Sequence, residues 1–141
     1  MKATLVDSNV LIDILSGDYQ WAEWSSQALA RLGSEGPLVI NPVIYAEVSH
    51  RYSRKELLDH ELPADAFIRD EIPWAAAFLA GKAYVAYRQR GGLRRSPLPD
   101  FFIGAHAAVA GLRLLTRDSA RYRTYFPRLY LVSPESGSRL G

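Results

Sequence analysis

Short apolar runs alternate with longer segments of helical periodicity along this chain. The runs that predict buried strands are Ala3 to Val6, Leu38 to Ile40, Arg113 to Thr116 and Leu129 to Val132. Between them, apolar residues recur every three or four positions, which predicts helices. Strands that alternate with helices predict a parallel sheet covered on both faces, so the expected fold is a three-layer α/β/α sandwich.

The segments between the strands carry helix start signals. Asp7 or Ser8 can cap a helix directly after the first strand, and residues 20–32 predict a second helix. Asn41-Pro42 starts a third, because proline at the first helical position costs no hydrogen bond. Residues 53–71 predict only short helical pieces, interrupted by a proline.

A long helix is predicted from Pro73 to about Arg90. Trp74, Phe78, Gly81 and Val85 follow one another at spacings of four, three and four residues, which predicts a stripe packed into the core. After a proline-containing basic loop, residues 101–111 are almost wholly apolar and small, so we expect a buried helix there.

Composition narrows the class of protein. With 141 residues and 48% hydrophobic residues, we expect one domain over residues 1–133 and a flexible tail over residues 134–141. The absence of cysteine excludes disulfides, thiolate zinc sites and iron–sulfur clusters. No apolar run approaches the roughly 20 residues of a membrane span, so we expect a cytoplasmic protein without a membrane partner.

The net charge of +2 conceals two unlike halves. Residues 1–81 contain six basic and twelve acidic residues, whereas residues 82–128 contain ten basic residues and only two acids, Asp100 and Asp118. An arginine-rich segment is typical of proteins that bind a polyanion such as RNA, although single arginines often serve only to solvate a helix. The two acids within it call for an explanation.

Four carboxylates are predicted to meet at one edge of the sheet, beyond the carboxyl ends of its strands. They are Asp7, Glu47, Asp100 and Asp118. Each like-charged pair a few ångströms apart would cost on the order of 4 kcal/mol, so such a cluster needs protonation or a cation. Oxygen ligands without cysteine favour Mg²⁺ or Mn²⁺.

Each acid also has an ordinary structural interpretation. Asp7 and Asp100 could simply cap helices, Glu47 could be a solvated charge, and Asp118 could be a turn residue. Their common position at the sheet edge favours a site. A metal held by carboxylates beside an arginine-rich surface suits phosphodiester hydrolysis, in which a metal-bound water attacks phosphorus and arginines hold the strand by its phosphates.

Four ordered motifs resemble the PIN domain and, more closely, the VapC-type ribonuclease toxins of bacterial toxin–antitoxin pairs. The motifs are VDSNVLID (residues 6–13), VIYAEV (43–48), LPDFFIGAHA (98–107) and LLTRD (114–118). The resemblance spans about residues 3–133. It implies a PIN-like nuclease domain with a four-to-five-stranded parallel sheet, Mg²⁺- or Mn²⁺-dependent RNA cleavage, and a small antitoxin that wraps the toxin and blocks its site.

The same resemblance assigns roles to single residues. It implies that the metal-binding and catalytic acids are Asp7, Glu47, Asp100 and Asp118. Asn9 would be a hydrogen-bonding residue beside them, and Thr116 would orient the last acid or a bound water. Many relatives carry Asn where Asp118 stands, so a direct bond from Asp118 to the metal is the least firmly implied.

Further residues receive separate predictions. The candidates for RNA binding are Arg94, Arg95, Arg117 and Arg121. For Asp13 we expect a surface or capping role. His106 is predicted to pack or to be a hydrogen-bonded partner rather than a general base.

Aromatic residues leave alternatives open. Tyr84, Tyr87, Tyr122, Tyr125 and Phe126 could stack on RNA bases, but helical spacing explains them equally well as core or interface residues. Trp21 and Trp24 are large apolar groups for which a dimer or antitoxin surface is expected.

The expected function is therefore that of a metal-dependent endoribonuclease toxin whose products carry a 5′-phosphate and a 3′-hydroxyl. A homodimer and an antitoxin partner are expected, since 141 residues leave no room for a built-in inhibitor. The alternatives are a catalytically silent PIN-like interaction module and a metal-dependent phosphatase. The sequence has no Gly-rich phosphate loop, which counts against nucleotide binding.

Overall fold

The chain folds around a five-stranded parallel sheet. A computed structural model describes residues 2–92 and 98–135. The strands are β1 (Thr4–Val6), β2 (Leu38–Ile40), β3 (Ile68–Arg69), β4 (Arg113–Leu115) and β5 (Leu131–Val132). Their order in the sheet is β3-β2-β1-β4-β5, and every neighbouring pair is parallel.

Helices flank this sheet. They are α1 (Ser8–Ser16), α2 (Ala22–Glu35), α3 (Pro42–Ser49), α4 (Lys55–Glu61), α5 (Trp74–Gln89), α6 (Leu98–Ala110) and α7 (Ala120–Tyr125). Helix α1 packs on α2 and α3, whereas α5 and α7 pack on α6. The predicted α/β sandwich is confirmed.

The core lies along the two central strands. Leu5 and Val6 of β1 and Leu114 and Leu115 of β4 are fully buried. Side chains of a strand point alternately to the two faces of a sheet, so complete burial of successive residues requires a layer of helices on each face. Within the described part of the chain, no helix is long and apolar enough to cross a lipid bilayer.

Helix caps place side chains at the carboxyl ends of the strands. Asp7 follows β1 and caps α1 by accepting a hydrogen bond from the Ser8 backbone N–H. Asn41 follows β2 and caps α3, with Pro42 in the first turn. Both helix starts were predicted from the sequence, because short polar side chains in extended backbone satisfy the free N–H groups of a first turn.

Helix α5 buries the opposite side from the one predicted. Trp74 is 89% exposed, Phe78 69% and Val85 50%, so the expectation that they form a core stripe is wrong. The buried residues of α5 are Ala76, Ala80 and Ala83, which pack toward α6. Alanines let two helix backbones approach closely, and this leaves the large side chains outside.

Two further predictions concern the edge of the sheet and the end of the chain. Within residues 53–71 the structure contains α4, as expected, but also the two-residue edge strand β3, which was not predicted. Of the tail predicted to be flexible, residues 136–141 lie outside the described residues.

Candidate metal and nuclease site

The four predicted acids occupy the same end of the fold. Asp7 follows β1 directly and is 3% exposed. Glu47 lies in α3, the helix after β2, and Asp100 lies in the first turn of α6. Asp118 lies between β4 and α7. Parallel strands end at one edge, which is where the fold gathers these side chains.

Asp7 is held by four neutral donors, of which the Asn9 amide, 3.5 Å from Oδ2, is the most distant. Its Oδ1 accepts a hydrogen bond from the Ser8 backbone N–H at 2.7 Å. Its Oδ2 accepts from the Thr116 hydroxyl at 2.8 Å and from the Tyr122 hydroxyl at 2.9 Å. Strand β4 supplies the position of Thr116, and α7 supplies that of Tyr122, so Asp7 connects three distant parts of the chain.

Burial and neighbouring acids oppose ionisation of Asp7. Burial, together with the negative charges of Asp100 and Glu47, raises the pKa of the Asp7 carboxyl from 3.8 to about 7, although the hydrogen bonds from Thr116 and Tyr122 lower it. Neutral donors therefore do not compensate for the loss of water around this carboxylate.

Glu47 shares the same electrostatic environment. Its Oε1 accepts a hydrogen bond from the Ser8 hydroxyl at 2.8 Å. Burial raises the pKa of the Glu47 carboxyl, and the charge of Asp100 adds to this effect. Ser8 thus holds two of the acids, Asp7 through its backbone and Glu47 through its side chain.

Asp100 is paired with a cation but remains strained electrostatically. Arg121 Nη1 lies 2.7 Å from Asp100 Oδ2. Burial raises the pKa of the Asp100 carboxyl, and the charge of Asp118 contributes in the same direction, even though Arg121 lowers it. Three acids in this site therefore have raised pKa values. In each of them the negative charge of another acid contributes to the increase.

The donor set suits a hard divalent cation. All the groups are carboxylates, which Mg²⁺ and Mn²⁺ prefer, and a cation would offset both the burial and the mutual repulsion. As placed, no three acidic or histidine side chains within residues 2–92 and 98–135 are close enough together to hold one ion. Ion binding at this site would therefore require side-chain movement.

Asn9 and Thr116 lie beside the acids, where the resemblance placed them. Asn9 Nδ2 donates to the Thr116 hydroxyl at 3.3 Å, and Asn9 Oδ1 accepts from the Arg117 backbone N–H at 3.1 Å. The Asp118 backbone N–H donates to the Thr116 hydroxyl at 3.2 Å. These contacts fix the loop after β4 against the start of α1.

Two of the predicted RNA-binding arginines are engaged in ion pairs. Arg117 Nε lies 2.8 Å from Asp13 Oδ2, and the guanidinium lies over the ring of Trp21. Asp13 is 2% exposed and also accepts from Ser25, so the expectation of a surface role for Asp13 is wrong. Arg121 binds Asp100. Arg94 and Arg95 lie outside the described residues.

His106 is a structural hydrogen-bond partner, as predicted. It is buried, and its Nδ1 accepts a hydrogen bond from Asn41 Nδ2 at 2.9 Å. Burial lowers the pKa of the imidazole, which favours its neutral form. Asn41 uses its other side-chain atom to cap α3, so His106 joins α6 to the helix that carries Glu47.

Tyr122 and Ser8 were not predicted as site residues. The helical spacing of Tyr122 indicated a core or base-stacking role, yet its hydroxyl reaches Asp7. Close packing makes this possible: a Cβ at Gly104 would lie 2.5 Å from the Phe126 ring and 3.0 Å from that of Tyr122. The residue type offered one usable signal, since a buried tyrosine generally needs a hydrogen-bond partner.

Comparison with known protein families identifies the family to which this chain belongs. The PIN domain family model matches residues 4–127, and the chain therefore belongs to the PIN domain family. The resemblance to that family inferred from the four sequence motifs is confirmed. No curated protein matches the sequence significantly.

Several solved structures share the fold. A chain of VapBC2 from Rickettsia felis, bound to a DNA fragment from its promoter, superposes with a TM-score of 0.71 at 16% identity, covering 93% of this chain and 98% of that one. A chain of FitAcB from Neisseria gonorrhoeae gives 0.70 at 17% identity, covering 94% and 98%. A chain of a toxin–antitoxin complex from Klebsiella pneumoniae gives 0.61 at 26% identity, covering 93% and 97%.

Proposed function

We propose that this protein is a divalent-metal-dependent endoribonuclease and the toxin of a toxin–antitoxin pair, of the VapC type. Membership of the PIN domain family and similarity to chains of VapBC complexes support the class. The observation that carries the proposal is the cluster of Asp7, Glu47 and Asp100 at the carboxyl edge of the sheet, whose pKa values are all raised by burial and by a neighbouring acid.

Asp7, Glu47, Asp100 and Asp118 are the proposed metal ligands. A bound Mg²⁺ or Mn²⁺ would supply a water of lowered pKa as the nucleophile and would stabilise the charge on the leaving oxygen. Ser8, Thr116 and Tyr122 orient the carboxylates through the hydrogen bonds described above, and Asn9 fixes Thr116. Arginines of the basic half hold the RNA by its phosphates, with Arg94, Arg95, Arg117 and Arg121 as the proposed contacts.

Water rather than the RNA 2′-hydroxyl is the proposed nucleophile, so the products carry a 5′-phosphate and a 3′-hydroxyl. The test incubates the pure protein with labelled RNA and with nucleoside monophosphates, with Mg²⁺ or EDTA. We expect cleavage of RNA alone, only with Mg²⁺. Cyclic 2′,3′-phosphate ends would contradict hydrolysis by water, release of phosphate from monophosphates would identify a phosphatase, and no reaction would identify a silent interaction module.

An antitoxin chain is the proposed protein partner. The support comes from the solved neighbour from Klebsiella pneumoniae, which is described as a toxin–antitoxin complex. Because RNA is the proposed substrate, the proposed location is the cytoplasm. Expression of the chain with and without a small neighbouring reading frame tests both the toxicity and its relief.

A homodimer is also proposed, formed through the exposed face of α5. Trp74, Phe78 and Val85 present large apolar side chains to solvent on one helix. We expect the wild type to sediment as a dimer and Phe78→Glu as a monomer. Tyr19→Glu is the matched control, since Tyr19 is 99% exposed outside α5, and it should remain dimeric. A monomeric wild type, or a dimeric Phe78→Glu, would contradict this interface.

A further inference from the structure

Two consecutive residues of α7 contact carboxylate oxygens of two proposed metal ligands. Arg121 Nη1 contacts Asp100 Oδ2 at 2.7 Å, and the Tyr122 hydroxyl contacts Asp7 Oδ2 at 2.9 Å. Tyr122 is buried and neutral, whereas Arg121 brings a positive charge to the acids. Across residues 2–92 and 98–135, no other basic side chain forms an ion pair with any of the four acids.

Building on the proposed function, we propose that Arg121 is the built-in counter-cation of the metal-free site. It holds Asp100 until a divalent ion displaces it, and the released guanidinium then binds a phosphate of the RNA. Arg121 is thus a positioning residue in one state of the protein and a substrate contact in the other.

The ion pair has the properties that exchange requires. The side chains of Arg121 and Asp100 are 39% and 33% exposed, so the pair is open to solvent, and such pairs are weak enough for an ion to displace. Arg121 also lies over the ring of Tyr87, with its guanidinium carbon 5.8 Å from the ring centre. This contact can retain the side chain at the site after Asp100 is released.

Arg117 forms an ion pair in the same region that is more costly to break than the pair of Arg121 and Asp100. Its partner Asp13 has a side chain that is only 3% exposed and that also accepts a hydrogen bond from Ser25. Breaking that pair would leave a buried charge without a partner, which is costly. Asp100 faces no such penalty if a metal takes the place of Arg121.

Competition for Asp100 makes two opposite predictions for one variant. Without the arginine, the metal no longer has to displace an ion pair, so its affinity rises. The RNA loses a phosphate contact, so its binding weakens. A residue with a purely structural role would not change these two affinities in opposite directions.

The test measures Mn²⁺ binding by isothermal titration calorimetry for the wild type, Arg121→Gln and Arg123→Gln. Arg123 is the matched control, since it carries the same charge on the same helix but contacts Ser119 and Glu135. We expect roughly two- to tenfold tighter Mn²⁺ binding by Arg121→Gln only. At saturating Mn²⁺, the KM for a single-stranded RNA should rise more than kcat falls.

Each other outcome overturns the inference in a recognisable way. Equal or weaker Mn²⁺ binding by Arg121→Gln, with normal binding by the wild type, removes the counter-cation role and leaves the proposed function standing. An equal gain in both variants indicates a general charge effect and also overturns it. No Mn²⁺ binding by the wild type overturns the proposed function as well. Arg121→Lys, which keeps the charge but loses the planar fork, should give an intermediate affinity.

Discussion

Asp7 and Asp59 make a controlled comparison within one molecule. Each is an aspartate with several hydrogen-bond donors, four for Asp7 and three for Asp59. Asp7 accepts from the Ser8 backbone N–H, the Asn9 amide and the hydroxyls of Thr116 and Tyr122. Asp59 accepts from the Tyr45 hydroxyl, the Lys55 ammonium and the Arg69 guanidinium.

The electrostatic outcomes are opposite. The hydrogen bonds from Lys55, Tyr45 and Arg69 hold the pKa of the Asp59 carboxyl well below its usual range. Burial and two neighbouring acids raise the pKa of Asp7 to about 7. A larger number of donors therefore does not give greater stabilisation of the carboxylate, because charge and access to water decide the result.

The two clusters differ in whether the chain itself supplies enough positive charge for its acids. The Asp59 cluster, on the α4 side of the molecule, contains its own cations and needs nothing further. The Asp7 cluster contains three acids with raised pKa values and one partly exposed arginine. The proposed divalent cation would supply the positive charge that this site lacks.

Asp7→Asn should produce the largest effect, because it removes the aspartate whose pKa is raised. It removes a proposed metal ligand, so RNA cleavage should fall by about a hundred- to a thousandfold. It also removes a destabilising charge, so the unfolding free energy at pH 8 without metal should rise by about 2 kcal/mol. Asparagine is a good helix cap, which keeps α1 in place.

Urea denaturation and an RNA cleavage assay measure the two effects of Asp7→Asn. The fold should be unchanged by circular dichroism. A variant that unfolds would show that the cap of α1, rather than the metal site, is the main role of Asp7.

The stability of the metal-free protein should depend on pH with a sign set by Asp7. Its carboxyl has a pKa of about 7 in the folded state, against an ordinary value of 3.8, so the folded state holds the proton more tightly. The unfolding free energy should therefore fall as the pH rises from about 4 through 7, by about 2–4 kcal/mol.

Denaturation in EDTA at pH 5 and pH 8 tests this sign. Mn²⁺ at pH 8 should restore much of the loss, because it binds only the folded state. Asp7→Asn should give a much flatter profile. A wild type that is more stable at pH 8 than at pH 5 in EDTA would refute the electrostatic account.

Thr116→Val should have a smaller effect on both stability and activity. It removes the hydroxyl that donates to Asp7 and accepts from the Asp118 backbone N–H. Since these groups are buried or partly buried, we expect a loss of about 1–2 kcal/mol in unfolding free energy. Thr116→Ser, which keeps the hydroxyl, is the control, and equal losses in both variants would assign the effect to packing.

Asp59→Asn should have the smallest effect, because it changes the aspartate whose charge is already balanced by neighbouring cations. The group is exposed, so its ion pairs are screened by salt and contribute little. We expect a small decrease in thermal stability at low salt, absent at high salt, and unchanged RNA cleavage. Because its pKa is lowered, that contribution should disappear as the pH falls. A large loss of cleavage would place this cluster in the active site.

Local sequence signals predicted much of this architecture. The four predicted strands and the caps at Asp7 and Asn41 depend on neighbouring residues, and the structure contains them. Strand β3 has only two residues, both exposed at the edge of the sheet, so it carried no apolar pattern to detect.

Hydrophobic periodicity could not predict the contacts between residues that are far apart in the sequence. On α5 the alanines and the large apolar residues both recur at helical spacing, and only the fit against α6 decides which face is buried. The sequence gives no sign that Asp13 meets Arg117, which follows it by 104 residues. For the same reason Arg121 was predicted as a free RNA contact rather than as the partner of Asp100.

The position of β1 beside β4 has a consequence for the synthesis of this protein. Asp7 is synthesised well before its partners, since Thr116 and Tyr122 come 109 and 115 residues later. At typical rates of translation that interval is on the order of ten seconds. Throughout it, the growing chain lacks two of the hydroxyls that hydrogen-bond Asp7, so the acid cluster cannot be assembled before Tyr122 has been added.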